Sequence, residues 1–216
     1  PLEFAEDLAK KGFTIIVDRK GLDIDQSAEL YQKMQVYEQL KQPKFSENCI
    51  DGYAGDHACE KMDLLAHLPL SSFSTDPSAA NDIWGFYDLN DGREYAIIGL
   101  RNGIGIVDVT EPESPRVVNT LSSQSTAWRD IKVYQNFNRS EARWQSYAYV
   151  TADSASVGTL VIDLGSLPDS AEIAAADTSD LSAHNVYLSN SDYSTGIALN
   201  GLTPYLHVIG SDKRGG

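Results

Sequence analysis

Three polar pairs recur along this 216-residue chain, Asn81-Asp82, Arg129-Asp130 and His184-Asn185, and each is followed by Ile or Val. Asp82 and Asp130 stand 48 positions apart, the length of a repeated unit rather than of a local turn. If each pair opens an innermost strand, all six side chains lie at one mouth of a central channel. Carboxylate, amide and imidazole groups gathered there suit a cation, calcium among them, or a polar ligand. Asp82, Asp130 and His184 around a divalent metal would also activate a water for hydrolysis. A plainer chemistry fits the same positions: the side chains cap strand ends and satisfy backbone groups between neighbouring units.

Two further sets of residues carry chemical meaning. Cys49 and Cys59 sit ten positions apart in a Gly-rich loop. A pair this close is what an exported protein uses as a local disulfide staple, whereas Cys49, His57 and Cys59 as a metal site would lack a fourth ligand. Asp108 and Asp163 close two versions of one phrase, Gly105-Ile106-Val107-Asp108 and Leu160-Val161-Ile162-Asp163, and each precedes a turn. An aspartate there accepts backbone N–H bonds and sets the turn. Asp18, Asp23 and Asp25 lack the glycine and terminal glutamate of an EF-hand loop. No Gly-x-Ser-x-Gly, P-loop, His-Glu-x-x-His or Gly-x-Gly-x-x-Gly occurs, and His57, His67, His184 and His207 do not stand at metal-ligand spacing.

The elements that must position these residues fall into three stretches. In residues 1–45, 3–11 reads as a short helix and 13–17 as a β-rich run. Over 25–42, Leu30, Met34, Tyr37 and Leu40 recur at the period of an amphipathic helix. Residues 46–80 form a connector that holds the cysteine pair and a Ser/Asp/Pro tract. From Asn81 to 216 the chain turns β, with short apolar runs and frequent turns. A first module runs through strands at 81–84, 94–99, 105–108 and 116–121, and a second through 129–133, 146–150 and 160–163. A third opens at His184 and continues at 205–210, but shows no aspartate-closed strand before Gly216. Four short strands in about fifty residues is the dimension of a β-propeller blade. Two and a half such blades, roughly, cannot close a ring, so the remainder of a longer polypeptide or other copies is expected to complete the sheet edges.

Composition narrows the partners. The chain holds 31 acidic against 17 basic residues, a net charge of −14, which repels phosphate backbones and excludes nucleic acid. Anionic membrane surfaces are disfavoured for the same reason, and no apolar run reaches bilayer-spanning length. A hydrophobic content of 42% suffices for a substantial core. The start at Pro1, without Met or a charged-then-apolar leader, reads as a processed product.

The run Asn81 to Phe86, then Gly92 to Leu100 and Gly103 to Pro115, resembles the choice-of-anchor B proteins with LVIVD-type repeats. Trp128 to Tyr134 matches that family's second-blade opening, Ala183-His184-Asn185 its third, and Cys49 to Leu70 its cysteine-bearing lead-in. The family domain is longer than this chain, and residues 1–45 fall outside the pattern. The resemblance implies an exported bacterial protein, extracellular or at the cell surface, built as a β-propeller, and it implies no enzymatic activity. The expected fold is therefore mainly β, a partial β-propeller preceded by a small α/β segment. The expected function is a non-enzymatic surface scaffold that binds protein or glycan. Two other readings remain open: a metal-assisted hydrolase at the propeller axis, and a structural subunit of a surface assembly.

Overall fold

The computed structural model describes Gln35, Glu38 and residues 40–212. The chain divides into two compact units, Pro1–Lys41 and Gln42–Gly216. Gln35 and Glu38 are helical. The rest of the sequence-predicted helix over 25–42, up to residue 39, lies outside the described residues, as do the helix over 3–11 and the strand over 13–17.

The second unit is mainly β, and all its strand pairs are antiparallel. The connector begins with β1 (Lys44–Glu47), the two-residue strands β2 (Tyr53–Ala54) and β3 (His57–Ala58), and β4 (Leu64–His67). β1 pairs with β4 and β2 with β3, so two small hairpins enclose the Cys49–Cys59 disulfide. A 3-10 turn at Leu70–Ser72 then leads into the modules. The first module is a four-stranded meander of β5 (Ala80–Tyr87), β6 (Glu94–Leu100), β7 (Gly103–Asp108) and β8 (Arg116–Ser122). The second repeats it with β9 (Ile131–Asn138), β10 (Arg143–Val150), β11 (Thr159–Asp163) and β12 (Glu172–Asp177). The third consists of β13 (Ala183–Ser189) and β14 (Tyr205–Ser211) alone. These sheets stay separate, and among the described residues none closes into a barrel or ring.

Period-two alternation explains why these stretches are strands and which face each one buries. In β9, Ile131, Val133 and Gln135 point inward while Lys132 and Tyr134 stay half-buried. β7 is buried at all six positions, as a central strand covered on both faces must be. One face of it joins the main core, where Ile97, Ile104 and Ile106 of the first module meet Ile131, Val133, Ala148, Leu160 and Ile162 of the second. Each fully buried aliphatic side chain there contributes about 1.5–3 kcal/mol. The other face packs Val107 with Leu100 and Phe73. Gly105 makes that second contact possible, because a Cβ on it would lie 2.4 Å from the Phe73 ring. Phe73, with Leu68 packed beside it, thereby seats the connector on the first sheet.

The link between β13 and β14 does more than connect them. Tyr87 of β5 donates its N–H to Ser194 O at 3.0 Å, and Gln135 of β9 forms a parallel bridge with Ile197. A segment of the third module thus lies against strands of the first two.

Candidate functional site

The starts of β5, β9 and β13 lie next to one another, and the three polar pairs meet there. Asp82 Oδ2 accepts the Ile131 N–H at 3.0 Å. One module further on the same contact recurs: Asp130 Oδ2 accepts the Val186 N–H at 2.9 Å and the Asn185 side-chain amide at 3.0 Å. Asp130 Oδ1 also accepts its neighbour Ile131 N–H at 2.8 Å and the Lys132 ammonium at 2.6 Å. Each aspartate therefore accepts the backbone N–H of the apolar residue that follows the next module's polar pair, Ile131 in β9 and Val186 in β13.

Sharing the Ile131 N–H brings the two carboxylates together, and their environments separate them. Burial pushes the Asp82 carboxyl up, and the Asp130 carboxylate beside it pushes further in the same direction. Burial also acts upward on Asp130, but the Lys132 ammonium, the Val186 N–H and the Asn185 amide outweigh it and hold Asp130 below the usual carboxylate range. Lys132 lies 4.2 Å above the Trp84 ring, so the cation that neutralises Asp130 is itself held by an aromatic face.

The first members of the pairs diverge. Asn81 donates to Ala127 O at 3.2 Å. Arg129 is completely buried; its Nε donates to Leu100 O at 3.0 Å and its Nη2 to Gln124 O at 2.5 Å. Burial without a carboxylate partner pushes its pKa down to about 10, which still leaves it charged at neutral pH. Both side chains flank Gly99, where a Cβ would come within 2.4 Å of Asn81 Oδ1. His184 turns the other way: its ring stacks on Trp128 at 5.1 Å and 4°, and Nδ1 lies 2.9 Å from Asp153 Oδ2. The His184 hydrogen bond is the main reason the Asp153 carboxyl is lowered. The six side chains are thus split between an Asp82–Asp130–Asn185 cluster, the half-buried Asn81 with the buried Arg129 at Gly99, and a stacked histidine. Among the described residues no three His, Cys, Asp or Glu side chains converge as metal ligands.

The cysteines are joined as Cys49–Cys59 with Cα atoms 5.9 Å apart, which removes both sulfurs from any metal site with His57. Asp108 and Asp163 each accept the N–H two residues on, from Thr110 at 3.1 Å and Gly165 at 2.8 Å. Asp108 is further braced by Arg93 at 2.6 Å and Arg116 at 3.1 Å, at the wall of an open cleft of about 500 Å³.

Several contributing residues have no counterpart in the sequence reading. Gln135, buried in mid-strand, donates to Tyr87 O at 2.7 Å and Thr195 O at 2.5 Å, and accepts from Ser146 Oγ at 2.9 Å and Leu89 N–H at 3.3 Å. One amide thus ties three modules together. A lone polar residue at an inward position of an alternating strand is the signal that marks it. Trp84, Tyr187 and Tyr193 form an edge-to-face series, with ring centroids 5.6 Å apart for Trp84–Tyr193 and 6.4 Å for Tyr187–Tyr193. Tyr187 and Tyr193 are exposed. Compared with protein-family models, with curated proteins and with solved structures, the chain matches none.

Proposed function

We propose that the three modules are consecutive blades of a partial β-propeller, and that the chain is a non-enzymatic extracellular or cell-surface scaffold that binds protein or glycan. One observation carries this reading: the aspartates opening the modules are consumed in the repeated bond from one leading strand to the next, Asp82 to Ile131 and Asp130 to Val186. Groups spent on holding units side by side serve architecture rather than turnover. The likeness to choice-of-anchor B proteins read from the sequence points the same way. The Cys49–Cys59 bond, with no membrane-crossing helix among the described residues, fits an exported protein. The exposed tyrosines beside Trp84 supply the rigid amphipathic surface that protein and sugar ligands favour.

The immobilised full chain, screened against defined bacterial surface glycans and proteins, tests the proposal. Binding that Tyr187→Ala and Tyr193→Ala weaken at unchanged thermal midpoint supports it. The same preparations are heated with calcium, zinc or a chelator, and the scaffold reading expects no change in midpoint. A metal bound at a hundredfold excess over its Kd would add about 2.7 kcal/mol. A rise of that size, abolished by Asp82→Asn and Asp130→Asn, would sink the scaffold reading and favour the metal-assisted hydrolase.

A further inference from the structure

The first two modules close on the same corner and furnish it differently. Asp108 ends β7 and Asp163 ends β11, and each sets its turn by accepting the N–H two residues on, from Thr110 and Gly165. Across the sheet Asp108 pairs with Arg116 of β8, whereas Asp163 pairs with Glu172 of β12. In the first module Arg93 Nη1 and Arg116 Nη2 both donate to Asp108 Oδ2, at 2.6 and 3.1 Å. In the second, the Arg143 guanidinium donates to Gly165 O instead. The Asp108 side chain is only 5% exposed, and a buried carboxylate needs a cation beside it. One arginine meets that need, so the second is surplus to building the corner. The two arginine side chains stay 40% and 63% exposed, and neither makes another hydrogen bond among the described residues. A guanidinium carries several N–H donors, so giving one to Asp108 leaves most of them unspent. Both arginines line the cleft of about 500 Å³, where the second module's corner has an opening of about 110 Å³.

We propose that this cleft binds a single carboxylate carried by an acidic sugar, such as a terminal uronate on an otherwise neutral glycan. Arg93 and Arg116 take the carboxylate with their unspent donors. Asp108 already holds both guanidinium groups, so little side-chain freedom is lost on binding. The rest of the wall selects the carrier. Asp91, Gly92, Thr110, Glu111 and Ser114 complete it, and none of them offers an apolar side chain. A peptide end finds no apolar seat there, whereas sugar hydroxyls find hydroxyl and carboxylate partners. Asp91, which accepts the Tyr95 hydroxyl at 2.8 Å, and Glu111 set against any ligand of higher charge. The net charge of −14 repels a polyanion, but most of it is screened beyond about 8 Å, and a lone carboxylate is held by contacts far shorter than that. The inference rests on the glycan half of the proposed function for its carrier, and it uses a different site from the exposed tyrosines.

Glucuronate is titrated into the full chain by isothermal calorimetry, beside glucose as its neutral counterpart and inorganic sulfate as a plain anion. Saturable binding of glucuronate is expected, with glucose and sulfate weaker by about tenfold or more. Arg116→Gln should weaken glucuronate by about tenfold or more at an unchanged thermal midpoint, because Arg93 still neutralises Asp108. Arg116→Lys keeps the charge but loses the planar fork, and it should weaken binding as well. Should Arg116→Gln lower the midpoint, Arg116→Lys decides the matter. Absence of saturable binding, equal binding of glucose, or full binding in Arg116→Lys overturns the proposal. Sulfate bound as tightly as glucuronate would show a plain anion site and overturn the sugar carrier. Tyr187→Ala and Tyr193→Ala should leave glucuronate binding unchanged, and its loss there would place the ligand at the tyrosines and overturn this site. Failure at the arginines leaves the screen of glycans and proteins at the tyrosines to be judged by itself.

Discussion

Asp82 and Asp130 share a side chain and a place in their modules, yet they contribute to stability with opposite signs. Asp130 has its folded pKa lowered, so its contribution is present above the ordinary aspartate value of about 3.9 and is lost as pH falls through the lower folded value. Asp82 has its folded pKa raised, so its charge opposes folding at neutral pH and is relieved as pH falls through that raised value. Asp82→Asn keeps an oxygen for the Ile131 N–H and removes the repulsion, and urea unfolding at neutral pH should find it at least as stable as the parent. Asp130→Ala strands the buried Val186 N–H and should cost about 1–3 kcal/mol. In a chain of this size that is a fall in midpoint of roughly 2–12 °C, measurable by calorimetry. A larger loss in Asp82→Asn than in Asp130→Ala would contradict this assignment. At this scale the sequence marked the positions but not the signs. The recurrence of Asn81-Asp82, Arg129-Asp130 and His184-Asn185 is visible in one dimension. Which carboxylate has an ammonium beside it depends on Lys132 turning back onto Asp130, which sequence spacing does not report.

At the level of elements, the two complete modules share a glycine five residues before the closing aspartate. A Cβ on Gly103 would lie 2.2 Å from Leu121 O, and one on Gly158 2.1 Å from Asp177 O. Gly158 also has φ +74°, a region that side chains avoid. Gly158→Ala should therefore destabilise the second module by about 1–3 kcal/mol, with loss of amide protection concentrated in β11 and β12. Uniform protection across both modules would show that the close approach is not needed. The Cys49–Cys59 staple closes a ten-residue interval, and Cys49→Ser with Cys59→Ser should cost about 2–3 kcal/mol on the chain-entropy model. Proteolysis within 44–67 is the readout, because that loss falls on the two small hairpins.

The β-branched strands were legible because alternation and turn residues are local signals: β6, β7, β9 and β14 lie within a few residues of where their composition places them. β12 was not legible. Its Ala174-Ala175-Ala176 carries helix propensity, it is exposed along its whole length, and its pairing with β11 alone makes it a strand.

For the whole molecule, net charge sets the behaviour. At −14 the chain should pass through a heparin column at low salt without retention, and salt-sensitive retention would contradict the exclusion of polyanionic partners. Charge, the close cysteine pair and β class are sums and short-range patterns, so the sequence by itself determined them: an acidic chain, one local cysteine pair, and modules marked by a polar opening and an aspartate close. Only the tertiary structure decided what those marks are for. It placed Asp82 on the backbone of the second module and Asp130 on that of the third, turned His184 away onto Trp128, and tied three modules through Gln135. The physical reason is that a hydrogen bond acts over about 3 Å in space, whatever the distance along the chain. The sequence can fix residue types and intervals, while the identity of each partner exists only once strands 48 or more positions apart lie side by side.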